Sequence, residues 1–180
     1  SASAGISHQL NENNSVLFNY ALSSRAPNPS ELFSDGLHHS AARIELGDLR
    51  MPQERSNRVS ASYNFENDKT AILIDLFYNQ IYNFMYIEPE GTEQTIRGAF
   101  PVWVYKKTNA SLFGVDVNWS QKVTKQIDFK HQSSFIRGKD LVNDRNLIDI
   151  PAASTLNSIG YQNKKWQHFN ASLESNFVFK

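Results

Sequence analysis

The chain has 180 residues, 18 Lys and Arg against 18 Asp and Glu, and no Cys. Zero net charge leaves no field to gather a polyanion and argues against a nucleic-acid partner, while a 40% hydrophobic content lies above compositions that stay disordered. Without Cys there is no disulfide framework, thiolate metal site or thiol nucleophile; no apolar run reaches the roughly 18 residues of a membrane helix, although barrel strands of about 9–11 residues escape that test.

Period-two alternation dominates from the start of the chain. Val16, Phe18, Tyr20 and Leu22 oppose Leu17, Asn19, Ala21 and Ser23, and Val59, Ala61, Tyr63 and Phe65 oppose Ser60, Ser62 and Asn64. Farther on, Phe113, Val115, Val117 and Trp119 oppose Gly114, Asp116, Asn118 and Ser120, and Phe169, Ala171, Leu173 and Phe177 oppose Asn170, Ser172, Glu174 and Asn176. None of these windows carries the 3.6-residue helical period. Eight strands are predicted, over residues 3–10, 15–24, 56–65, 70–86, 101–120, 125–138, 151–162 and 166–179.

The predicted connections alternate in length. Asn11–Asn14, Glu66–Lys69, Gln121–Thr124 and Gln162–Lys165 are tight and polar, whereas Arg25–Arg55, Ile87–Phe100 and Lys139–Ile150 are long. Outer-membrane barrels have that asymmetry, with short periplasmic turns and long outer loops. Tyr63, Phe65, Trp119, Tyr161 and Trp166 fall beside the tight turns, where an interfacial aromatic belt belongs. With tight turns on the periplasmic side, both ends of the chain come out on the outer side, as expected of a slice from a larger barrel.

In the first long loop, Pro27 and Pro29 lack the N–H that a ladder needs, so the strand must stop there. Asn28 is placed to cap a short helical turn over Pro29, Ser30, Glu31, Leu32 and Phe33, with the acid near its positive end. Asp35-Gly36 then reads as a turn. His38 and His39 follow, with Asp35, Glu45 and Asp48 nearby, a set of nitrogen and oxygen donors suited to a zinc ion or to haem. Neighbours in an extended chain point to opposite sides, so at most one of the two faces a given site; a solvated loop pair is the plain alternative.

The remaining His residues are scattered. His168 shares a wet face with Asn170 and Glu174, as a lumen lining would, whereas His131 falls on an apolar face with Ile127, Phe129 and Phe135. Asp75 and Asp116 have the parity of a water-facing side. No Gly-x-Ser-x-Gly, His-Glu-x-x-His, Walker loop or dinucleotide fingerprint is present, and no carboxylate pair is singled out, so no enzyme is expected.

The motifs in order are Arg25-Ala26-Pro27, Glu31-Leu32-Phe33, Gly36-Leu37-His38, Glu45-Leu46-Gly47 and Glu54-Arg55-Ser56, then Phe77-Tyr78-Asn79, Asn109-Ala110, Gly114-Val115-Asp116 and Ile150-Pro151. This succession resembles the barrel of TonB-dependent outer-membrane receptors over nearly the whole chain. The form of the Glu-Leu-Phe-to-His stretch is most similar to receptors of zinc or haem. Gly47 to Glu54 departs from the family's pattern, which has Gly-Asn-Pro-x-Leu-x-Pro-Glu there.

The resemblance implies an all-β, antiparallel transmembrane β-barrel segment, with residues 1–180 supplying about eight strands of a 22-stranded barrel. A plug domain and a segment gripped by the TonB energy-transducing complex would lie elsewhere in the protein. The implied place is the outer membrane of a Gram-negative bacterium, with lipid as partner. The protein would have no cofactor of its own; a metal ion, haem or a siderophore would be cargo, and His38 and His39 are the candidate ligand or metal contacts. A soluble β-sandwich binding module and a passive porin-like channel are the alternatives. The sandwich would cover the apolar side of these strands with a second protein layer, and the barrel would leave it bare for lipid.

Overall fold

The computed structural model describes residues 1–163, 165, 166 and 169–179. Its elements are β1 (Ala2–Asn11), β2 (Asn14–Arg25), α1 (Pro29–Phe33), β3 (Asp35–His38), β4 (Arg43–Leu46), β5 (Glu54–Glu66), β6 (Thr70–Thr95), β7 (Gly98–Lys122), β8 (Ile127–Asp140), β9 (Arg145–Asn146), β10 (Ser154–Asn163) and β11 (Phe169–Val178). Eight long strands pair antiparallel in the order β1-β2-β5-β6-β7-β8-β10-β11, each beside its neighbour in the chain of long strands. They correspond to the eight predicted strands; β3, β4 and β9 are short additions at one end.

Side-chain hydrogen bonds close the tight turns. Asn67 Oδ1 accepts from the backbone N–H of Lys69 (2.9 Å) and Thr70 (2.8 Å), and Thr124 Oγ1 accepts from Gln126 (3.1 Å) and Ile127 (3.0 Å). A short polar side chain thereby replaces the missing ladder partners. The predicted last turn reaches into residues that are not described, and His168 lies outside the described residues.

Register then decides which residues share a face. One row across the sheet runs Ile6, Phe18, Ala61, Leu76, Val115 and Phe135; the next toward the loops runs Ala4, Tyr20, Val59, Tyr78, Phe113 and Arg137. Nothing among the described residues covers them: Phe18 is 53% exposed, Leu76 41% and Phe135 45%. Burying each such side chain would gain about 1.5–3 kcal/mol, so a sheet built for water would not leave a whole face bare. The expectation of a face kept for hydrocarbon is met, and no second layer of a sandwich is present among the described residues. Tyr20 and Tyr78 also supply an aromatic row toward the loop end, besides the one expected at the tight turns.

The opposite face carries Ser60, Ser62, Asp75, Asp116, Asn118 and Ser134, as the polar parity predicted. His131, the misfit of the apolar parity, is satisfied locally, with Nδ1 2.7 Å from Asn157 Oδ1 across the β8–β10 ladder. A paired imidazole avoids the cost of an unsatisfied polar group in a row that also holds Trp119.

Three loop expectations are corrected. Asp35-Gly36 is not a turn: Asp35 opposes Leu46 and Gly36 opposes Glu45, so both belong to β3, and Gly36 provides the φ of 133° that this short strand needs. The reversal comes later, at residues 39–42, with Ala42 at φ 50°. Ile87–Phe100 is not an open loop, because β6 and β7 stay paired to Thr95 and Gly98, forming a ribbon well beyond the rest of the sheet. Bulges between Ile81 and Phe84 and between Pro89 and Thr92, with Asn83 at φ 56° and Gly91 at φ 119°, let the ribbon continue past Pro89. Lys139–Ile150 includes β9, which turns back onto β8.

Candidate ligand-capture site

Among the described residues, most of the buried side chains lie at the loop end of the sheet, with Asn163 beside the last tight turn an exception. Ile44, Met51, Ile81, Met85, Ala110 and Leu147 are the buried apolar side chains, and Glu31, Glu45, Thr108 and Asp140 are buried beside them. Packing and charge pairing are concentrated where three long connections meet.

The first connection is held at its base. Asn28 Oδ1 accepts from Glu31 N (2.9 Å) and Glu31 Oε2 accepts from Asn28 N (2.7 Å), closing a reciprocal cap around a helix that starts at Pro29, as the sequence suggested. Arg25 Nη1 donates to both Glu31 oxygens (3.0 and 2.9 Å) and Nη2 donates to Glu54 Oε2 (3.2 Å). One guanidinium at the end of β2 therefore ties α1 to the first residue of β5. Gly47 then passes close to the helix: its N–H donates to Ser34 O (2.7 Å), and Asp48 N–H to Glu31 O (2.9 Å).

Just before Gly47 the connection reaches across to the ribbon. β4 pairs parallel with β7, placing Ile44, Glu45 and Leu46 opposite Val102, Trp103 and Val104, while the other edge of β7 pairs with β6. Glu45 becomes a hub: Oε1 accepts from Arg43 Nε (2.7 Å) and lies 3.0 Å from His38 Nδ1, and Oε2 accepts from the Tyr105 hydroxyl (3.4 Å). Burial pushes the Glu45 carboxyl up, but hydrogen bonds from His38 and Arg43 outweigh it and hold the group below its ordinary range. Arg43 also lies over the Trp103 ring, 4.6 Å from its centroid.

The third connection is attached through Arg145. Its guanidinium donates to Asp140 Oδ2 (3.3 Å), the Tyr86 hydroxyl (2.9 Å) and Glu88 Oε2 (2.7 Å), and Lys106 Nζ reaches Glu88 (2.9 Å) and Glu90 (2.9 Å). Asp140 also accepts from the Thr108 hydroxyl and from the backbone of Val142 (3.0 Å) and Asn143 (3.2 Å). The hydrogen bond from Lys106, with burial opposing and Arg145 assisting, holds the Glu88 carboxyl below its ordinary range. Between the three connections lies an open groove of about 870 Å3, lined by Leu46, Arg50, Met51, Tyr86, Lys106 and Arg145 among others.

Of the residues proposed from sequence, His38 and Glu45 are brought together and Asp48 is drawn away. His38 ends β3 with Nδ1 toward Glu45 and Nε2 3.1 Å from Ser40 Oγ. His39 is exposed in the turn that follows. Asp48 instead accepts from Arg50 N (2.9 Å) and Nε (3.1 Å). Among the described residues no three His, Asp or Glu side chains form a group able to hold a metal. Sequence reading missed Arg145, Asp140, Glu88 and Lys106, which come from distant segments. The signal available was period-two alternation continuing through Tyr86, Glu88 and Glu90 and again through Val104, Lys106 and Thr108, with opposite charges on the two runs.

Residues 1–178 match a family model described as TonB dependent receptor-like, beta-barrel. No curated protein matches the chain. Among solved structures, the copper transporter OprC superposes with a TM-score of 0.80 at 16% identity, over 98% of this chain and 26% of that one. The siderophore receptor PirA from Pseudomonas aeruginosa gives 0.69 at 14% identity, over 97% and 29%. The FrpB iron transporter from Neisseria meningitidis (F3-3 variant) gives 0.64 at 16% identity, over 98% and 26%. The chain thus spans between a quarter and a third of the length of these neighbours, and at such identities the likeness is one of fold.

Proposed function

Since the chain belongs to the TonB-dependent receptor β-barrel family, we propose that it forms wall and outer loops of an energy-coupled importer in a Gram-negative outer membrane. The observation that carries this reading is the division of the sheet. One face is a bare apolar surface, the other is polar, and the long connections gather at one end around a groove whose charged groups are held in place by ion pairs. A lipid-facing wall, a wet lumen and an outer capture layer have that arrangement.

The cargo proposed is a scarce metal species, free, in haem or in a siderophore, with the outer connections and His38 and His39 taking part in capture. The names of the neighbours, a copper transporter, a siderophore receptor and an iron transporter, support the class without choosing among its members. A plug within the barrel and the TonB complex beneath it are the partners that coupled uptake requires. A passive channel would need neither.

The test is uptake by cells expressing the full-length protein. It should fractionate with the outer membrane and support accumulation of one of zinc, copper, haem or a ferric siderophore, and deleting TonB should abolish that accumulation. Recovery as a monomer in detergent-free buffer would overturn the wall; uptake indifferent to TonB would overturn the coupling.

A further inference from the structure

Three residues on three adjacent strands build a platform on the polar face. Phe77 on β6 opposes Gly114 on β7, and a Cβ placed on Gly114 would stand 2.2 Å from Phe77 Cε1 and 2.5 Å from Cζ. The ring therefore lies over the backbone of β7 in space that only glycine leaves. From β5, the Arg58 guanidinium lies over that ring, with Cζ 4.1 Å from its centroid.

The guanidinium so placed is unpaired. Arg58 is exposed and has no ion pair or hydrogen bond among the described residues, whereas Arg25, Arg43, Arg50 and Arg145 are each tied to carboxylates. Arg55, Arg97 and Arg137 also lack ion pairs among the described residues, but Arg97 lies in the turn at the tip of the β6–β7 ribbon and register puts Arg55 and Arg137 on the opposite, apolar-parity face. On the same polar face, Asp75 accepts from the Ser62 hydroxyl (2.5 Å) and lies directly opposite Asp116, and neither pairs with Arg58. Stacking fixes the plane of a guanidinium while leaving its N–H edge free, which is the geometry for gripping a carboxylate with two parallel hydrogen bonds.

We propose that Arg58, laid on Phe77 above Gly114, is a carboxylate-binding site on the lumenal wall. The inference rests on the importer reading only in taking the polar face as lumenal. The carboxylate belongs either to a protein segment that occupies the lumen or to a solute that passes through it.

The full-length receptor distinguishes these sources. Citrate serves as probe, its binding measured by calorimetry on purified receptor, and leakage of a large hydrophilic dye across the outer membrane of expressing cells reports on a lumen-filling segment. Arg58→Gln should weaken citrate binding by about tenfold, the loss expected of a charge-assisted pair, if the site serves a solute. It should raise dye leakage if the site anchors a segment. Gly114→Ala and Phe77→Leu should shift the same readout in the same direction with the cation still present, and Arg58→Lys, which keeps the charge but not the flat stack, should fall between.

Receptor yield in the outer membrane is measured alongside. Failure of the wild-type protein to reach the outer membrane would refute the importer reading. Wild-type citrate affinity together with wild-type leakage in inserted Arg58→Gln and Phe77→Leu receptors would overturn the site alone.

Discussion

Ile44 lies directly opposite Val102 in a parallel pairing that joins the first outer connection to the edge of the β6–β7 ribbon. The two strands are far apart in sequence, so the pairing closes a long loop whose entropy must be offset by local burial. Ile44 is 5% exposed and supplies part of that burial. Ile44→Ala should therefore destabilise the loop layer by about 2–5 kcal/mol while leaving the sheet intact. Hydrogen exchange should speed up at residues 43–46 and 102–104 and stay unchanged in β10 and β11.

The facing of the wall is tested on β7. Val117 lies in a row with Ile74 and Tyr63 on the bare face, and Asn118 in a row with Leu73 and Asn64 on the other. Val117→Arg in the full-length protein should cost roughly 2–4 kcal/mol, as a cation near mid-bilayer does, with Asn118→Arg markedly milder. Urea unfolding in lipid vesicles measures both, and equal costs would contradict the assigned faces.

The wall was legible in sequence because a bare face obeys one rule, period two, that every strand repeats. Phe113, Val115 and Val117 announce their side without reference to any partner. The small helix was legible for a similar reason, since Asn28, Pro29 and Glu31 carry its cap within four consecutive positions. The loop layer was not. Arg145, Glu88 and Asp140 meet because β6 and β7 stay paired beyond the bulge between Ile81 and Phe84 and β9 folds back onto β8, and neither bulge nor fold-back leaves a local pattern. Asp35-Gly36 misled because a glycine at positive φ suits a turn and an irregular strand equally well, and only the opposing Glu45 and Leu46 decide between them.

Close approach at Gly47 offers a more local test. A Cβ there would stand 2.8 Å from both Leu32 C and O and 2.9 Å from Glu31 O, all backbone atoms that cannot swing aside. Gly47→Ala should push α1 away from the connection at a cost of about 1–3 kcal/mol. Insertion of the barrel should be normal and proteolysis between α1 and β4 faster; resistance equal to wild type would mean that the helix gives way without loss.

Acid should loosen the same layer through Glu45. Its folded-state carboxyl is held below the ordinary value of 4.5, so its contribution to stability is fully present above that value and is lost as pH falls through the lower folded value. Exchange protection at β3 and β4, corrected for the intrinsic pH dependence of amide exchange, should therefore be steady at neutral pH and fall once pH drops below the ordinary glutamate range. Glu45→Gln should remove that step, leaving a loop weakened already at neutral pH; a step that persists in the variant would assign it to another group.

The same carboxylate separates the two candidate histidines. Glu45 accepts from His38 Nδ1, which leaves Nε2, beside the Ser40 hydroxyl, as the nitrogen able to face a metal ion or haem, whereas His39 stands exposed in the turn without such support. A carboxylate behind an imidazole fixes its tautomer and orientation, and losing such support typically lowers metal affinity about 10–100-fold. His38→Ala should thus weaken zinc or haem binding by the full-length receptor more than His39→Ala does, and Glu45→Gln should weaken it with both imidazoles present. Titration followed by haem absorbance or zinc calorimetry gives the order, and affinities unchanged in His38→Ala for both probes would remove this pair from the capture site.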